Sequence, residues 1–223
     1  MTRLDPPGWM RRCSEACLRI LAIGLLAASL IHIIPPPAQA KNLSPEIAQL
    51  YSSVSILPPT PQGMTVCYGF VCRRRAALDF SAADRAALTR IVRAGQSSPA
   101  AERKALQQAV IWFDRKVGPS LGTNKRVSHA DFRHRADHQN FDCWDTTRNV
   151  TSLLLVLQDW GVLRHHSVGA PRYRGNALKL QTPHNTAVVV ERQTRREWVV
   201  DMWTRAYAEP PDVMSVEQWE SEK

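Results

Sequence analysis

The sequence predicts an α+β fold on three observations. Helical signals, with apolar residues recurring at helical spacing, dominate the chain up to Gly161. Two strand-like runs then follow in succession, TAVVVE at Thr186–Glu191 and EWVVDMW at Glu197–Trp203, with the polar turn Arg192–Arg196 between them. Helices first and an antiparallel sheet afterwards is not the alternating order of a parallel α/β sheet. The 223 residues, 44% hydrophobic and with seven tryptophans, suffice for one domain with a filled core plus a targeting segment.

That segment comes first. Arg3, Arg11, Arg12 and Arg19 precede a nearly apolar run from Ile20 to Ile34, followed by PPPAQA and Lys41. A positive region, an apolar region and an A-x-A site (Ala38-Gln39-Ala40) predict a signal peptide, residues 1–40, cleaved before Lys41. The alternative is an uncleaved N-terminal anchor, against which His32 and the triple proline argue. In either case the positive flank stays inside and the body of the protein is exported.

Export changes the meaning of the cysteines. Of five in the chain, Cys13 and Cys17 leave with the signal, so Cys67, Cys72 and Cys143 remain. In an oxidising compartment the close pair Cys67/Cys72 is expected to form a disulfide, leaving Cys143 as the odd thiol. Net charge is +9 for the whole chain and +7 without residues 1–40. Basic clusters such as Arg73–Arg75, Arg133–Arg135 and Arg172–Arg174 have no zinc-finger, basic-zipper or RNP pattern around them, and no interleaved aromatics. Nucleic acid is therefore set aside as a partner. Acidic substrates or an anionic membrane surface fit the charge better.

The remaining elements follow in order. Residues 41–63 read as a short helix over Ser44–Tyr51 and a proline-rich linker, Ile56–Gly63; the domain proper is 64–223. Met64–Cys72 reads as a strand pair turning near Tyr68-Gly69. Ser81 and Asp84 form a capping box for a helix running to Gly95. Ser98-Pro99 opens a second helix, with Leu106, Ala109, Val110, Phe113 and Val117 on one face and Gly118-Pro119 as its stop. Ser120–Asn140 is polar and without periodicity, a long loop suited to a lid or substrate wall. His165–Gly175 reads as a strand and turn, and Ser215–Lys223 as a last short helix.

The stretch Asp142–Gly161, DCWDTTRNVTSLLLVLQDWG, organises the chemistry. Leu153, Leu154, Leu157 and Trp160 define a buried helix face, and Gly161 a left-handed stop. Cys143 then lies at the helix start, where unpaired backbone N–H groups and the helix dipole favour a thiolate. His184 and Asp201 follow on the two successive strands. With a two-residue turn at Arg192-Gln193, Glu191 pairs with Thr194 and His184 faces Asp201. A turn one residue longer puts them on opposite faces. A cysteine on a helix start, a strand histidine and a strand aspartate make an arrangement for nucleophilic catalysis.

Asp142-Cys143-Trp144-Asp145, the Leu157–Val162 helix end, and the consecutive-strand His184 and Asp201 together resemble the bacterial transglutaminase-like cysteine proteinases. That family belongs to the papain-like, transglutaminase-like superfamily and is periplasmic. The resemblance covers roughly Asn140–Trp203. It implies a papain/transglutaminase-like core, in which N-terminal helices, the nucleophile helix among them, pack on a small antiparallel sheet. It also implies a peptidase acting on a protein or peptide, with Cys143 as nucleophile, His184 as general base and acid, and Asp201 orienting the imidazole. Amide transfer or deamidation at the same acyl-enzyme is the alternative, and a non-catalytic transglutaminase-like binding module a third reading.

No papain-type glutamine stands at a convincing place; Gln139 and Asn140 are the candidates, with backbone N–H groups at the helix start as the other oxyanion donors. Calcium near such acidic residues occurs in the proteinase family, which makes Asp142 and Asp145 candidate ligands, although helix capping explains Asp145 as well. No other cofactor is implied. The rival from another class is a metal site. His134 and His138 have ligand spacing if their segment were helical, with Asp137, His129 and His165-His166 nearby. The lack of apolar periodicity there favours solvated loop histidines.

Overall fold

A computed structural model describes residues 43–175, 178 and 182–222. The expected signal peptide or anchor and its cleavage point before Lys41 lie outside the described residues. Among the described residues no helix is long and apolar enough to cross a membrane.

The first helix, α1 (Pro45–Ser52), is capped by Ser44, whose hydroxyl accepts the Ile47 N–H. Its Ile47, Leu50 and Tyr51 pack on Leu155, and Tyr51 meets Ser152 through a buried hydroxyl pair 3.0 Å apart. The stretch read as short helix and linker thus reaches the core.

Strand β1 (Gly63–Tyr68) pairs antiparallel with β2 (Arg74–Asp79). The expected strand end at Tyr68-Gly69 is where β1 stops, but its partner lies further on than Cys72. The sequence RRAALD hides that strand because an edge strand exposing Arg74, Arg75, Ala77 and Asp79 needs little β-branched character. Between the strands, Gly69, Phe70, Val71 and Cys72 all have φ between 53° and 72°. The Cys67 and Cys72 sulfurs lie 1.95 Å apart, at disulfide-bonding distance.

Helix α2 (Ala82–Arg93) has the complete capping box between Ser81 and Asp84. Helix α3 (Pro99–Leu121) passes through Gly118-Pro119, which was expected to stop it, and ends at Gly122 with φ 75°. A proline so near the end sacrifices one backbone hydrogen bond. Gly118 serves a different purpose: a Cβ there would meet the Tyr207 ring at 2.4 Å. Residues 123–140 form a loop containing two 3-10 turns, Thr123–Lys125 and Phe132–His134.

Helix α4 (Cys143–Asp159) is the centre of the fold. Sequence periodicity predicted one buried face, yet every residue from Asp145 to Leu157 is buried. Two of its buried polar side chains, Asn149 and Arg148, bond to backbone groups of neighbouring elements. Asn149 accepts the Cys67 N–H and donates to the Cys67 carbonyl, both at 2.8 Å, acting as a strand neighbour to β1. Arg148 donates to the Leu50 carbonyl at 2.8 Å. The apolar residues of α4 join Leu106, Val110 and Phe113 of α3 and the inner face of the sheet in one core. Truncating Leu153 or Leu157 to alanine there costs about 2–5 kcal/mol.

The sheet has the order β3 (His166–Arg174), β4 (His184–Glu191), β5 (Glu197–Val200), all antiparallel. Pro171 sits at a register shift of the edge strand β3, where a missing N–H does least harm. The β4–β5 turn spans four residues, Arg192–Arg195, closed by Glu191 N–H donating to the Arg196 carbonyl at 2.8 Å. Ala187 therefore faces Val200, and the expected two-residue turn is two residues too short. Helix α5 (Val216–Ser221) returns across the sheet and buries Trp219. Mixed helices and small antiparallel sheets make this an α+β protein, as the sequence predicts.

Candidate active site

The register shift of two leaves side-chain parity intact, because sheet faces alternate with a period of two. His184 and Asp201 are diagonal on one face instead of opposed, a separation that long side chains bridge. His184 Nε2 and Asp201 Oδ2 lie 2.6 Å apart, both residues buried. The other ring nitrogen, His184 Nδ1, is buried without a hydrogen-bond partner.

Asp201 is held from several sides. Its backbone bridges to Asp212 with hydrogen bonds of 2.8 and 2.9 Å. Its Oδ1 accepts the Trp203 N–H at 3.2 Å, and its Oδ2 accepts the Trp219 indole N–H at 2.9 Å. The same two tryptophans flank the imidazole, with ring centroids 4.5 Å (Trp203) and 5.4 Å (Trp219) from that of His184. Trp203 in turn donates to the Ala130 carbonyl and lies beside His129, tying the 123–140 loop to this wall.

Cys143 is the first residue of α4 and the one unpaired cysteine among the described residues. The backbone N–H of Asn185, the neighbour of His184, favours its thiolate form. The thiol is nevertheless pushed up to about 12, first by burial and then by the adjacent Asp142 carboxylate, with Asp201 adding to it. The helix terminus expected to favour a thiolate is outweighed, and the resting group is a neutral thiol that needs a base.

The two acidic neighbours have structural work. Asp142 caps α4, accepting the Asp145 N–H at 2.7 Å, and its other oxygen accepts the Val71 N–H at 2.8 Å. Asp145 accepts Cys72 N–H at 2.6 Å and Phe70 N–H at 2.9 Å. Successive N–H groups of the left-handed turn form a nest, and the two carboxylates fill it as an anion would. Burial raises both carboxyls above the usual range, Asp145 to about 7. Both calcium candidates thus face backbone donors.

The oxyanion candidates Gln139 and Asn140 both turn their amide nitrogens to Asp137, at 2.8 and 3.0 Å. The metal rival's residues are dispersed. His166 is buried, and its Nδ1 lies 2.8 Å from Glu102, which also accepts the backbone N–H groups of Arg164, His165 and His166. His134 ends a 3-10 turn, so it shares no helical face with His138. Among the described residues, no three His, Cys, Asp or Glu residues group so as to hold a metal ion.

A cleft of about 330 Å³ opens between α1, β3 and the start of α4, lined by Val71, Trp144, Arg148, Arg172, Tyr173 and Asn185 among others. Val71, Trp144 and Tyr173 are large apolar side chains left exposed, at 53%, 39% and 56%. The sequence singles out Cys143, His184 and Asp201 as candidates and gives no sign of Trp203, Trp219 or this cleft. Trp203 sits two positions after Asp201; nothing local marks Trp219, whose role depends on α5 folding back.

No protein-family model, no curated protein and no solved structure matches the chain.

Proposed function

We propose that the protein is an exported cysteine hydrolase, a peptidase with a papain/transglutaminase-like core, acting through Cys143, His184 and Asp201. The observation that carries this reading is the orientation of His184. One ring nitrogen is engaged by a buried carboxylate, and the other is unpartnered, on the strand whose next N–H favours the Cys143 thiolate. An imidazole held in this way is ready to take a proton from a neighbouring thiol.

In the proposed reaction the Cys143 sulfur attacks the scissile carbonyl carbon as the thiol proton passes to His184 Nδ1. The C–N bond then breaks, His184 returns that proton to the leaving amine, and the acyl group stays on sulfur. Water attacks the thioester, giving one proton to His184, and the acid departs as the thiol is restored. Asp201 stabilises the imidazolium at each transfer, and backbone N–H groups at the start of α4 receive the oxyanion. The substrate chain lies along the cleft beside Trp144 and Tyr173, in keeping with apolar walls at a binding site. Export to the periplasm is supported by the Cys67–Cys72 pair at bonding distance, a feature of oxidising compartments.

The test is labelling of one sample with iodoacetamide, and incubation of a second, unlabelled sample with a peptide library and an amine acceptor. Labelling lost in Cys143→Ala and His184→Ala, with cleaved peptides, supports the peptidase. Peptides joined to the amine instead would make the enzyme an acyltransferase. Labelling of Cys143 that ignores His184 would leave a binding module.

A further inference from the structure

Asp201 Oδ2 accepts from two donors, not one. The first is the His184 Nε2 of the triad; the second is the indole Nε1–H of Trp219, at 2.9 Å. Trp219 is 1% exposed and comes from α5, an element outside the sheet and helix that carry the other three residues. Its ring also bounds the imidazole.

We infer that Trp219 is a positioning residue of the reaction, one that fixes which lone pair of Asp201 faces His184 and limits how strongly that carboxylate holds the imidazole proton. The inference rests on the cysteine-hydrolase reading above. A carboxylate oxygen with two charge-assisted N–H donors divides its negative charge between them. Indole supplies a donor with no acceptor, so this contact cannot invert. Trp203 N–H occupies the other oxygen, which leaves the carboxylate no rotation that keeps all its bonds.

Trp219 is itself clamped. The Arg174 guanidinium of β3 lies over its ring, 4.4 Å from the centroid, and donates to the Trp219 carbonyl. The charged and titratable groups around the pair are Arg174 on β3 with its ion-pair partner Glu222, Cys143 on α4, His129 beside Trp203, and Asp212 beside Asp201. The Asp212 side chain is engaged by Thr204 and Arg205.

The test uses the exported protein with Trp219→Phe, and with 3-benzothienylalanine placed at position 219. The second variant replaces N–H by sulfur and keeps the ring shape, so a failure of Trp219→Phe to fold does not end the experiment. The readouts are the thermal midpoint, the pH profile of Cys143 alkylation by iodoacetamide, and peptide turnover. Without the indole donor, Oδ2 holds the imidazolium more strongly but less firmly in place. The alkylation profile is expected to move to lower pH while turnover falls about tenfold or more. Asp201→Asn should move the profile the opposite way, so the sign separates loss of the donor from general damage. A profile superimposable on the unaltered protein, or moved to higher pH, overturns the inference. If alkylation is also indifferent to His184→Ala, the hydrolase reading has failed rather than the role of Trp219.

Discussion

The Asp145 carboxylate lies beneath the Cys67–Cys72 turn, and its Oδ1 accepts the Cys72 N–H at 2.6 Å. This bond joins the start of the candidate nucleophile helix to a run of four left-handed residues, three of them not glycine. Such residues cost roughly 1–2 kcal/mol each and persist only where neighbours hold them. The disulfide and the two carboxylates are those neighbours. Replacing Cys67 and Cys72 with alanine is expected to cost about 2 kcal/mol from loop closure, and more as the turn relaxes. Urea denaturation measures it; an unchanged midpoint would mean that the turn stands without its crosslink.

Asp142 raises the Cys143 thiol through its charge, second only to burial. Asparagine is as good an N-cap as aspartate, so Asp142→Asn removes the charge while keeping the cap. The alkylation profile of Cys143 is then expected to move to lower pH, with a stability loss of about 1 kcal/mol for the Val71 N–H bond. Movement to higher pH would show that Asp142 acts on the thiol by something other than its charge.

Asp145, raised to about 7 by burial and by the charge of Asp142, gives a stability prediction. Its folded value lies above an unfolded value of about 3.9, so the stability it contributes is full below that lower value and is lost as pH rises through about 7. Asp145→Asn abolishes this titration. Plotted against pH from about 4 to 7, the unfolding free energy of the unaltered protein should fall relative to the variant's. Parallel curves would place the titration elsewhere.

The thiol left to itself stays protonated at neutral pH, so reactivity there measures proton transfer to His184. Asp201→Asn should move the alkylation profile to higher pH and slow turnover on the order of a thousandfold to ten-thousandfold. His184→Ala should move it further. Equal profiles for the unaltered protein and His184→Ala would mean that the two side chains do not communicate.

The cleft predicts a split between binding and chemistry. Trp144→Ala and Tyr173→Ala remove exposed rings that line it. Both should raise KM for peptides about tenfold or more, the effect of losing an aromatic contact worth 1–2 kcal/mol. Both should leave iodoacetamide alkylation of Cys143 near its original rate. A fall in kcat alone would remove the cleft from the substrate's path.

Much of this was legible in the chain. The caps at Ser81 and Ser98 are local events, and both helices begin where these predict. The face shared by His184 and Asp201 was legible too, because strand parity survives a wrong turn length provided the error is even. What escaped depends on distant contacts. Strand β2 is an exposed edge without a hydrophobic pattern. Helix α3 runs through Gly118-Pro119, where the glycine is the place against which Tyr207, far along the chain, packs. Trp219 has no local mark, and its N–H reaches Asp201 only once α5 folds back. The thiol expected at a favourable helix end proves to be half-buried beside a carboxylate, and that surrounding is invisible to spacing.

The four-residue turn between β4 and β5 lies outside the register that it closes. The pairs from Ala187↔Val200 to Val190↔Glu197 belong to the strands, so a residue lost or gained within the exposed Arg192–Arg195 turn leaves Asp201 on the face of His184. The same change inside either strand, between His184 and Glu191 or between Arg196 and Asp201, would carry one of the two side chains to the far face, beyond the reach of the other. Length variation at the tip is therefore silent for this pair, and the spacing within each strand is the place to look when asking whether a divergent copy of the chain has kept it.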